Sequence, residues 1–309
     1  MSQNKNVITR KKAGLSRGAV ADWAAWADWA AAVWGSEAVK RLLVLFCCLF
    51  LPAEMKAQYL PLAMTLNAGE NVTYDVYFKW GILMSRAGEG QLTFSPSMYK
   101  GKRASKYRLT FRTSKFFDSI YKMRDTIECY YSPDYALLYS SKHTNEGGYY
   151  LIDELTFSYR EQEQTCVHSR RYTPEKVKID TLLSVTSGYA FDMLGTLFFL
   201  RTLDWKHLKA GDVFPSTVVT GKDLIQVSYR YTGDEVVERD GISYRTHHFF
   251  IDIYDSAFSQ SKSAAEVWVG NDGNHLPIKV RSKLKIGYAE IHYKTSGQLK
   301  APLSSRMEN

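Results

Sequence analysis

The sequence predicts a mainly β fold: one strongly curved antiparallel sheet, or partial barrel, of roughly twelve strands with one main helix packed on it. Three observations lead to this prediction. The chain contains 21 Tyr and 15 Phe, and aromatic side chains favour the half-buried surface of a strand. Apolar and polar residues alternate in most segments after residue 70, and short clusters of Gly, Pro, Asn and Asp separate these segments. A single segment has apolar residues at helical spacing.

The alternation is clearest at the start, where Val72, Tyr74, Val76 and Phe78 share one face of the first predicted strand. Further strands are predicted at 91–94, 107–113, 125–131, 136–143, 151–159, 165–171, 213–219, 224–231, 244–254, 264–269, 276–284 and 288–294. Turn sequences as short as Asp240-Gly241 connect several of them, and such connections imply antiparallel pairing. Nothing marks a domain boundary, so residues 58–309 are expected to form a single β-rich domain.

The predicted helix is recognised by apolar residues that recur three and four positions apart, ending in an arginine: Ala190, Met193, Leu194, Leu197, Phe198 and Arg201. Ser187 is predicted to cap its start, with Asp192 in its first turn, and the helix should end before residue 210. The stripe of Met193, Leu194, Leu197 and Phe198 is expected to pack on the sheet.

Residues 1–57 are predicted to be a leader. Lys40-Arg41 precedes an apolar run at 42–51, which is typical of a signal peptide and is shorter than the roughly 20 residues that a transmembrane helix needs. The preferred cleavage site lies between Ala57 and Gln58, and cleavage after Ala53 is the alternative. The mature chain is therefore expected to be exported to the periplasm or cell envelope, with no transmembrane helix of its own.

The stretch before Lys40 has no place in a signal peptide, because it is a near-repeat that contains Trp23, Trp26 and Trp29. A start codon assigned too early would explain it: initiation at Val39 would leave a signal peptide at 39–57 and make 1–38 an artefact. The alternative is a Trp-rich amphipathic anchor.

The charge of the chain does not favour nucleic acid as a partner. The net charge is +8, but residues 1–57 hold eight Lys/Arg and four Asp/Glu, which leaves +4 for residues 58–309. The basic residues of this part are interspersed with acidic ones and form no long run of one sign, so we expect no nucleic-acid binding.

Motifs of common enzymes are absent from the sequence: there is no Gly-x-Ser-x-Gly, no His-Glu-x-x-His, no phosphate-binding loop and no dinucleotide fingerprint. His247 and His248 are adjacent on a predicted strand, so they point to opposite faces and are poorly placed to share a metal. Cys166 and His168 share a strand face but stand about 7 Å apart, which favours a structural role. No catalytic, metal or cofactor-binding residue is predicted, and the ligand-binding residues stay unknown.

Asp252 with Asp255, and Asp153 with Glu154, are candidate carboxylate pairs of a hydrolase, because glycosidases use two carboxyl groups about 5 to 9 Å apart. Exposed acidic residues on strands are the simpler interpretation. Residues 271–274 resemble a calcium loop in composition, but they lack its alternating ligands and are predicted to be a turn.

Cys129 and Cys166 would lie in an oxidising compartment, which favours a disulfide. A simple meander would place two strands between them, about 14 Å of sheet at ~4.8 Å per strand. A disulfide needs Cα atoms within about 7 Å. We therefore expect two free thiols.

The arrangement resembles a family of exported bacterial proteins known as domain of unknown function 3108, over most of residues 67–299. The residues that carry this resemblance are Asn71-Val72-Thr73-Tyr74-Asp75-Val76-Tyr77, Ala87-Gly88, Arg124-Asp125, Phe191-Asp192-Met193-Leu194, Phe198-Phe199-Leu200-Arg201, Val267-Trp268-Val269 and Leu276-Pro277-Ile278-Lys279. The resemblance implies export and a curved β fold, and it implies no activity.

Three functions follow as hypotheses. The first is a non-catalytic binding or carrier domain for an apolar or lipidic ligand on the concave side of the sheet. The second is a polysaccharide-binding or structural surface module that uses exposed Tyr149, Tyr150 and Trp268 as stacking platforms. The third is a hydrolase that uses carboxylates such as Asp252.

Overall fold

The computed structural model describes residues 66–159, 164–186, 188–254, 261–284 and 287–308. Its strands are β1 (Asn71–Trp80), β2 (Leu83–Tyr99), β3 (Lys102–Thr113), β4 (Arg124–Tyr131), β5 (Leu137–Glu146), β6 (Tyr149–Tyr159), β7 (Thr165–Tyr172), β8 (Val177–Val185), β9 (Ala190–Phe191), β10 (Val213–Thr220), β11 (Asp223–Arg239), β12 (Ile242–Tyr254), β13 (Ser261–Gly270), β14 (Pro277–Lys283) and β15 (Tyr288–Gly297). Two α-helices, α1 (Lys115–Asp118) and α2 (Met193–Arg201), and a 3-10 helix (Trp205–His207) accompany them. The predicted leader lies outside the described residues.

The fifteen strands form one sheet in the order β8-β7-β6-β5-β4-β3-β2-β1-β15-β14-β13-β12-β11-β10-β9. Neighbours pair antiparallel, except that β9 runs parallel to β10. This confirms the predicted mainly β fold with a curved sheet and one main helix. Two strands were not predicted: β8, although its Ile179, Leu183 and Val185 alternate with more exposed residues, and β9, whose two residues were assigned to the helix.

The main helix starts later than predicted, because Asp192 rather than Ser187 caps it. The Asp192 side chain accepts a hydrogen bond from the backbone N–H of Gly195 at 2.6 Å, as an N-cap does. Asp192 therefore precedes the first turn, and Ser187 lies outside the described residues. Met193 is 59% exposed, so its predicted place in the packed stripe is wrong, whereas Leu194 and Phe198 are buried as predicted.

The helix fills the inside of the curved sheet. Phe198 stacks on Tyr131 of β4 with ring centroids 4.2 Å apart, and it also contacts Tyr107 of β3. Phe199 points to another side of the helix, where its ring packs near Tyr229 of β11. Both halves of the sheet therefore bury aromatic side chains against one short helix, and the helix is apolar on more than one side for this reason.

The two edges of the sheet approach each other without pairing as strands. The hydroxyl of Ser169 on β7 donates to the carbonyl oxygen of Gly221, in the turn between β10 and β11, at 2.5 Å. A Cβ placed on Gly221 would lie 3.1 Å from Ile179 of β8, so the two segments are in close contact. The sheet is therefore a partial barrel, as the sequence predicts.

A buried ion pair joins the helix to the start of β1. The guanidinium of Arg201 donates to both carboxylate oxygens of Glu70, at 2.6 and 3.0 Å, and neither residue is more than 1% exposed. Arg201 also donates to the carbonyl oxygen of Asn274 at 2.9 Å, in the loop between β13 and β14. This bidentate contact fixes three distant segments relative to one another.

Candidate functional site

A small cavity lies at the start of α2, between the helix, strands β4 to β7 and the end of β10. It has a volume of about 70 Å³, and its lining includes Ser140, Lys142, Asp153, Arg171 and Asp192. Ligand pockets typically have volumes of roughly 300–1,000 Å³, so this cavity is too small to bury an acyl chain. The predicted apolar ligand has no place in this cavity.

The Asp192 carboxylate, which caps α2, is hydrogen-bonded to residues of β4 and β5 beside this cavity. The Asp192 carboxylate accepts from the hydroxyl of Ser140 at 2.5 Å and from the thiol of Cys129 at 3.1 Å. Burial raises the pKa of Asp192, although these donors act in the opposite direction. Burial also raises the pKa of the Cys129 thiol, which keeps it protonated and makes it a poor nucleophile. These hydrogen bonds position the start of α2, and neither Cys129 nor Asp192 is placed as a reactive nucleophile.

The histidine pair points to opposite faces of β12, as predicted. The Nδ1 of His247 lies 2.6 Å from an Asp234 carboxylate oxygen, whereas His248 stacks on Trp268 with ring centroids 4.6 Å apart. Among the described residues, no three His, Cys, Asp or Glu side chains come together as they would around a metal ion.

Cys129 and Cys166 are free thiols, as predicted. Strands β5 and β6 lie between β4, which carries Cys129, and β7, which carries Cys166, so the predicted meander is confirmed. His168 is engaged elsewhere, because its Nε2 lies 2.6 Å from a carboxylate oxygen of Asp180 on β8.

Each described carboxylate that was considered for hydrolysis contacts a cation or a backbone donor. Asp252 is 5% exposed and accepts from the backbone N–H of Ser263 at 2.7 Å, and Arg230 lies 3.3 Å away. Asp153 pairs with Arg171 on one face of β6. The predicted partner of Asp252, residue 255, lies outside the described residues.

Two further acidic side chains are also occupied. Glu154, on the other face of β6, accepts from the Tyr139 hydroxyl at 2.7 Å. Asp272 accepts from the backbone N–H of Asn274 at 2.9 Å, and residues 271–274 form a turn as predicted. These contacts favour structural roles for both carboxylates.

Trp268 is not a stacking platform, because it is only 4% exposed. His248 stacks on its ring, the Lys279 ammonium lies 4.8 Å from its ring centroid, and its Nε1–H donates to Glu235 at 2.8 Å. The prediction for Trp268 was therefore wrong, whereas Tyr149 and Tyr150 are 47% and 36% exposed.

A large exposed apolar surface lies at one end of the sheet, where β1 meets β2, β3 meets β4 and β14 meets β15. Nine side chains, each between 37% and 98% exposed, form what we call the apolar end surface: Phe78, Ile82, Leu83, Met84, Phe116, Ile120, Tyr121, Leu284 and Tyr288. They are nine of the 21 large apolar side chains that are exposed in the described part of the chain, which is a strong concentration on three adjacent connections.

The geometry of the first turn explains the most exposed of these side chains. Trp80 pairs with Leu83, so β1 and β2 are joined by only Gly81 and Ile82. Gly81 has φ of +58°, which a type II′ turn requires at its first central position. Ile82 occupies the second central position, where its side chain points into solvent and is 98% exposed.

Phe78 and Lys79 are adjacent on β1 and point to opposite faces, so the other members lie on both faces of this end of the sheet. Phe78 lies 6.1 Å from Phe117 of α1, and Phe117 lies 5.5 Å from Phe116, measured between ring centroids. On the neighbouring strands, Lys79 is opposite both Met84 and Tyr288. Sequence analysis missed this surface, although an apolar Ile82-Leu83-Met84 run at a turn, where polar residues are usual, could have indicated it.

Soluble monomers rarely expose large apolar patches, so this concentration of exposed apolar side chains makes this end of the sheet the candidate site. None of the helices among the described residues combines the length and apolarity that crossing a bilayer requires.

Comparisons with known proteins were informative only at the level of the family. A family model described as "Protein of unknown function (DUF3108)" matches residues 73–294. No curated protein sequence matches the chain. Among solved structures, a beta-barrel-like protein of domain of unknown function DUF1849 from Brucella abortus is similar, with a TM-score of 0.48 and 9% sequence identity, over 75% of this chain and 98% of that one.

Proposed function

The chain belongs to the DUF3108 family of proteins of unknown function, and starting from this family we propose that it is a non-catalytic protein of the bacterial cell envelope that binds lipid through its apolar end surface. The observation that carries the proposal is the exposure of Ile82, Leu83 and Phe116, which are 98%, 71% and 66% exposed on neighbouring connections. The leader predicted at 1–57 supports export, and it brings the mature chain to a compartment bounded by lipid.

Lipid binding at the surface fits the molecule better than lipid binding inside it. The inside of the sheet is filled by α2 and its aromatic neighbours, and the cavity beside the helix holds only about 70 Å³. The apolar end surface needs no cavity, because a bilayer can accept the side chains directly.

The energy available from this surface is sufficient for reversible attachment. Moving a side chain of the size of Ile or Leu from water to an apolar medium contributes about 1.5–3 kcal/mol. Ile82 and Leu83 alone would thus contribute about 3–6 kcal/mol, before the cost of immobilising the protein. Tyr121 and Tyr288 are half-exposed at the margin, and tyrosine favours the headgroup level of a bilayer.

The proposal is tested by flotation of the full chain with phospholipid vesicles. We expect the double substitution Ile82→Ser and Leu83→Ser to weaken vesicle binding at least about 100-fold, since it removes about 3–6 kcal/mol of burial. The matched control is Leu182→Ser, because Leu182 is 77% exposed but lies on β8, away from the apolar end surface. Equal binding by the double variant and the unchanged chain would refute the proposal.

Glycan binding is a second candidate, favoured by the fixed orientation of two exposed rings. The Tyr149 hydroxyl accepts from the Lys178 ammonium at 2.6 Å, and the Tyr150 hydroxyl lies 2.7 Å from Nδ1 of His143. Both rings are therefore held in place, as a stacking platform for sugars needs. Binding to an envelope polysaccharide that is lost on Tyr149→Ala and Tyr150→Ala would support this function, and binding that both variants retain would exclude it.

A further inference from the structure

We propose that the apolar end surface recognises anionic phospholipid headgroups through four surrounding lysines, which we call the lysine rim: Lys79, Lys115, Lys122 and Lys283. The inference rests on the proposed function and adds the lipid class to it. All four lysines are exposed, and none forms a salt bridge with a described acidic side chain.

Strand pairing places two of the lysines in one row with apolar side chains. Lys79 of β1 is opposite Tyr288 of β15, and Tyr288 is opposite Lys283 of β14. On the other side, Lys79 is opposite Met84 of β2. Directly opposed residues point to the same face of a sheet, so Lys79 and Lys283 share one face with the apolar side chains of Met84 and Tyr288. The two lysines are separated by two strand spacings, or about 10 Å.

The other two lysines flank the loop between β3 and β4. Lys115 is next to Phe116, which is 66% exposed, and Lys122 follows Ile120 and Tyr121, which are 67% and 48% exposed. This is the arrangement in which apolar side chains would enter the bilayer while adjacent ammonium groups stay at the level of the phosphates.

The acidic groups near the rim are largely neutralised by arginines. Asp118, the one carboxylate in the segment from Lys115 to Lys122, contacts Arg124 at 2.6 Å, and hydrogen bonds from Arg124 and Thr113 lower its pKa to about 2. It therefore stays ionised and pairs mainly with Arg124, and the nearby Lys122 of the rim also lowers its pKa.

Three further carboxylates lie close to the surface. Asp75 contacts Arg86 at 2.6 Å, and Glu89 contacts Arg112 at 2.9 Å. Glu146 lies against the surface, 3.5 Å from the Tyr121 hydroxyl, and with its neighbour Asp125, a fourth carboxylate, it opposes anionic lipid at that side. The rim nevertheless carries four positive charges, which favours an anionic partner.

The expected effect is large enough to measure. A lysine close to an anionic membrane surface tightens binding about fivefold, so two rim lysines together should contribute about 25-fold. The effect should weaken with salt, because the Debye length falls from about 30 Å at 0.01 M to about 10 Å at 0.1 M ionic strength.

The experiment compares vesicles of phosphatidylcholine with vesicles that also contain phosphatidylglycerol, using the full chain. We expect the double variant Lys79→Gln, Lys283→Gln to bind the anionic vesicles about 25-fold more weakly and the neutral vesicles unchanged. The control variant Lys102→Gln, Lys209→Gln removes the same charge at the other end of the sheet and should behave like the unchanged chain.

The two proposals fail in different ways. Binding to neutral and anionic vesicles with equal affinity, or an unaltered affinity of the rim variant for anionic vesicles, would overturn the headgroup inference while leaving lipid binding intact. Binding to neither kind of vesicle would overturn both proposals.

Discussion

Removing the Glu70 carboxylate takes away the charge that neutralises the Arg201 guanidinium inside the sheet. The two groups share hydrogen bonds of 2.6 and 3.0 Å, and Arg201 is 0% exposed. Breaking a buried ion pair by deleting one partner typically costs 3–5 kcal/mol, about a fifth or more of the 5–15 kcal/mol that stabilises a domain. We expect Glu70→Ala to lower the free energy of unfolding by about 3–5 kcal/mol.

The double substitution Glu70→Leu, Arg201→Met distinguishes this cause from a loss of packing. It removes both charges and keeps apolar volume, so the cost should be smaller than that of Glu70→Ala alone. Its cost should also stay well below the sum of the costs of Glu70→Leu and Arg201→Met measured singly. The carbonyl oxygen of Asn274 would lose a donor at 2.9 Å, which leaves a residual cost of about 1–3 kcal/mol.

The free energy of unfolding of Glu70→Ala and of the four proteins of this cycle, namely the unchanged chain, Glu70→Leu, Arg201→Met and the double variant, is measured by urea unfolding followed by circular dichroism. The midpoint and slope of each transition give that free energy. The reasoning would be refuted if Glu70→Ala cost less than about 1 kcal/mol, or if the costs of the single variants simply added in the double variant.

Three further predictions concern groups inside the fold. Burial lowers the pKa of His275 to about 4, so the unfolded chain binds more protons between about pH 4 and 6.5 and stability falls as the pH drops through that range. His275→Asn, which tolerates the φ of 48° found there, should flatten this dependence by about 2 kcal/mol between pH 7 and 5 in urea titrations; an unchanged slope would contradict the assignment. Asp192→Ala should cost about 2 kcal/mol or more of unfolding free energy, since the cap and the Ser140 hydrogen bond are both lost, and a change in melting temperature below 2 °C would argue against it. Because Cys129 is 0% exposed and burial raises its pKa, alkylation followed by mass spectrometry should label Cys166 well before Cys129 in the folded chain, and equal rates would show that the interior opens readily.

The sequence predicted the fold well where one face of a strand is buried. Val72 and Tyr74 alternate with polar residues because the inner face of β1 packs on the core, and this local pattern is visible without a structure. Strand β8 alternates in burial but was missed, because the apolar Leu182 on its exposed face weakens the contrast with Leu183 and Val185 on the other face. The helix cap was misplaced because Ser187 and Asp192 are both good caps, and the choice depends on Ser140 and Cys129, which lie on other strands.

The site was less predictable than the fold. Trp268 was expected to be exposed, but residues from β11, β12 and β14 cover it, and no local pattern reports such contacts. The apolar end surface likewise depends on three connections that are distant in sequence and meet only when β1 pairs with both β2 and β15.

The pairing of β1 with β15 also determines how the chain can assemble. Every other antiparallel pair joins strands that follow each other in sequence, whereas this one brings together residues such as Val76 and Ile291. During synthesis from the amino end, one edge of β1 therefore stays unpaired until β15, the last strand, has been made. The two halves of the sheet cannot pair before then. A circular permutant that linked the present ends and was cut between β8 and β9 would bring its strands into the sheet one after another, and it should fold faster than the natural order allows.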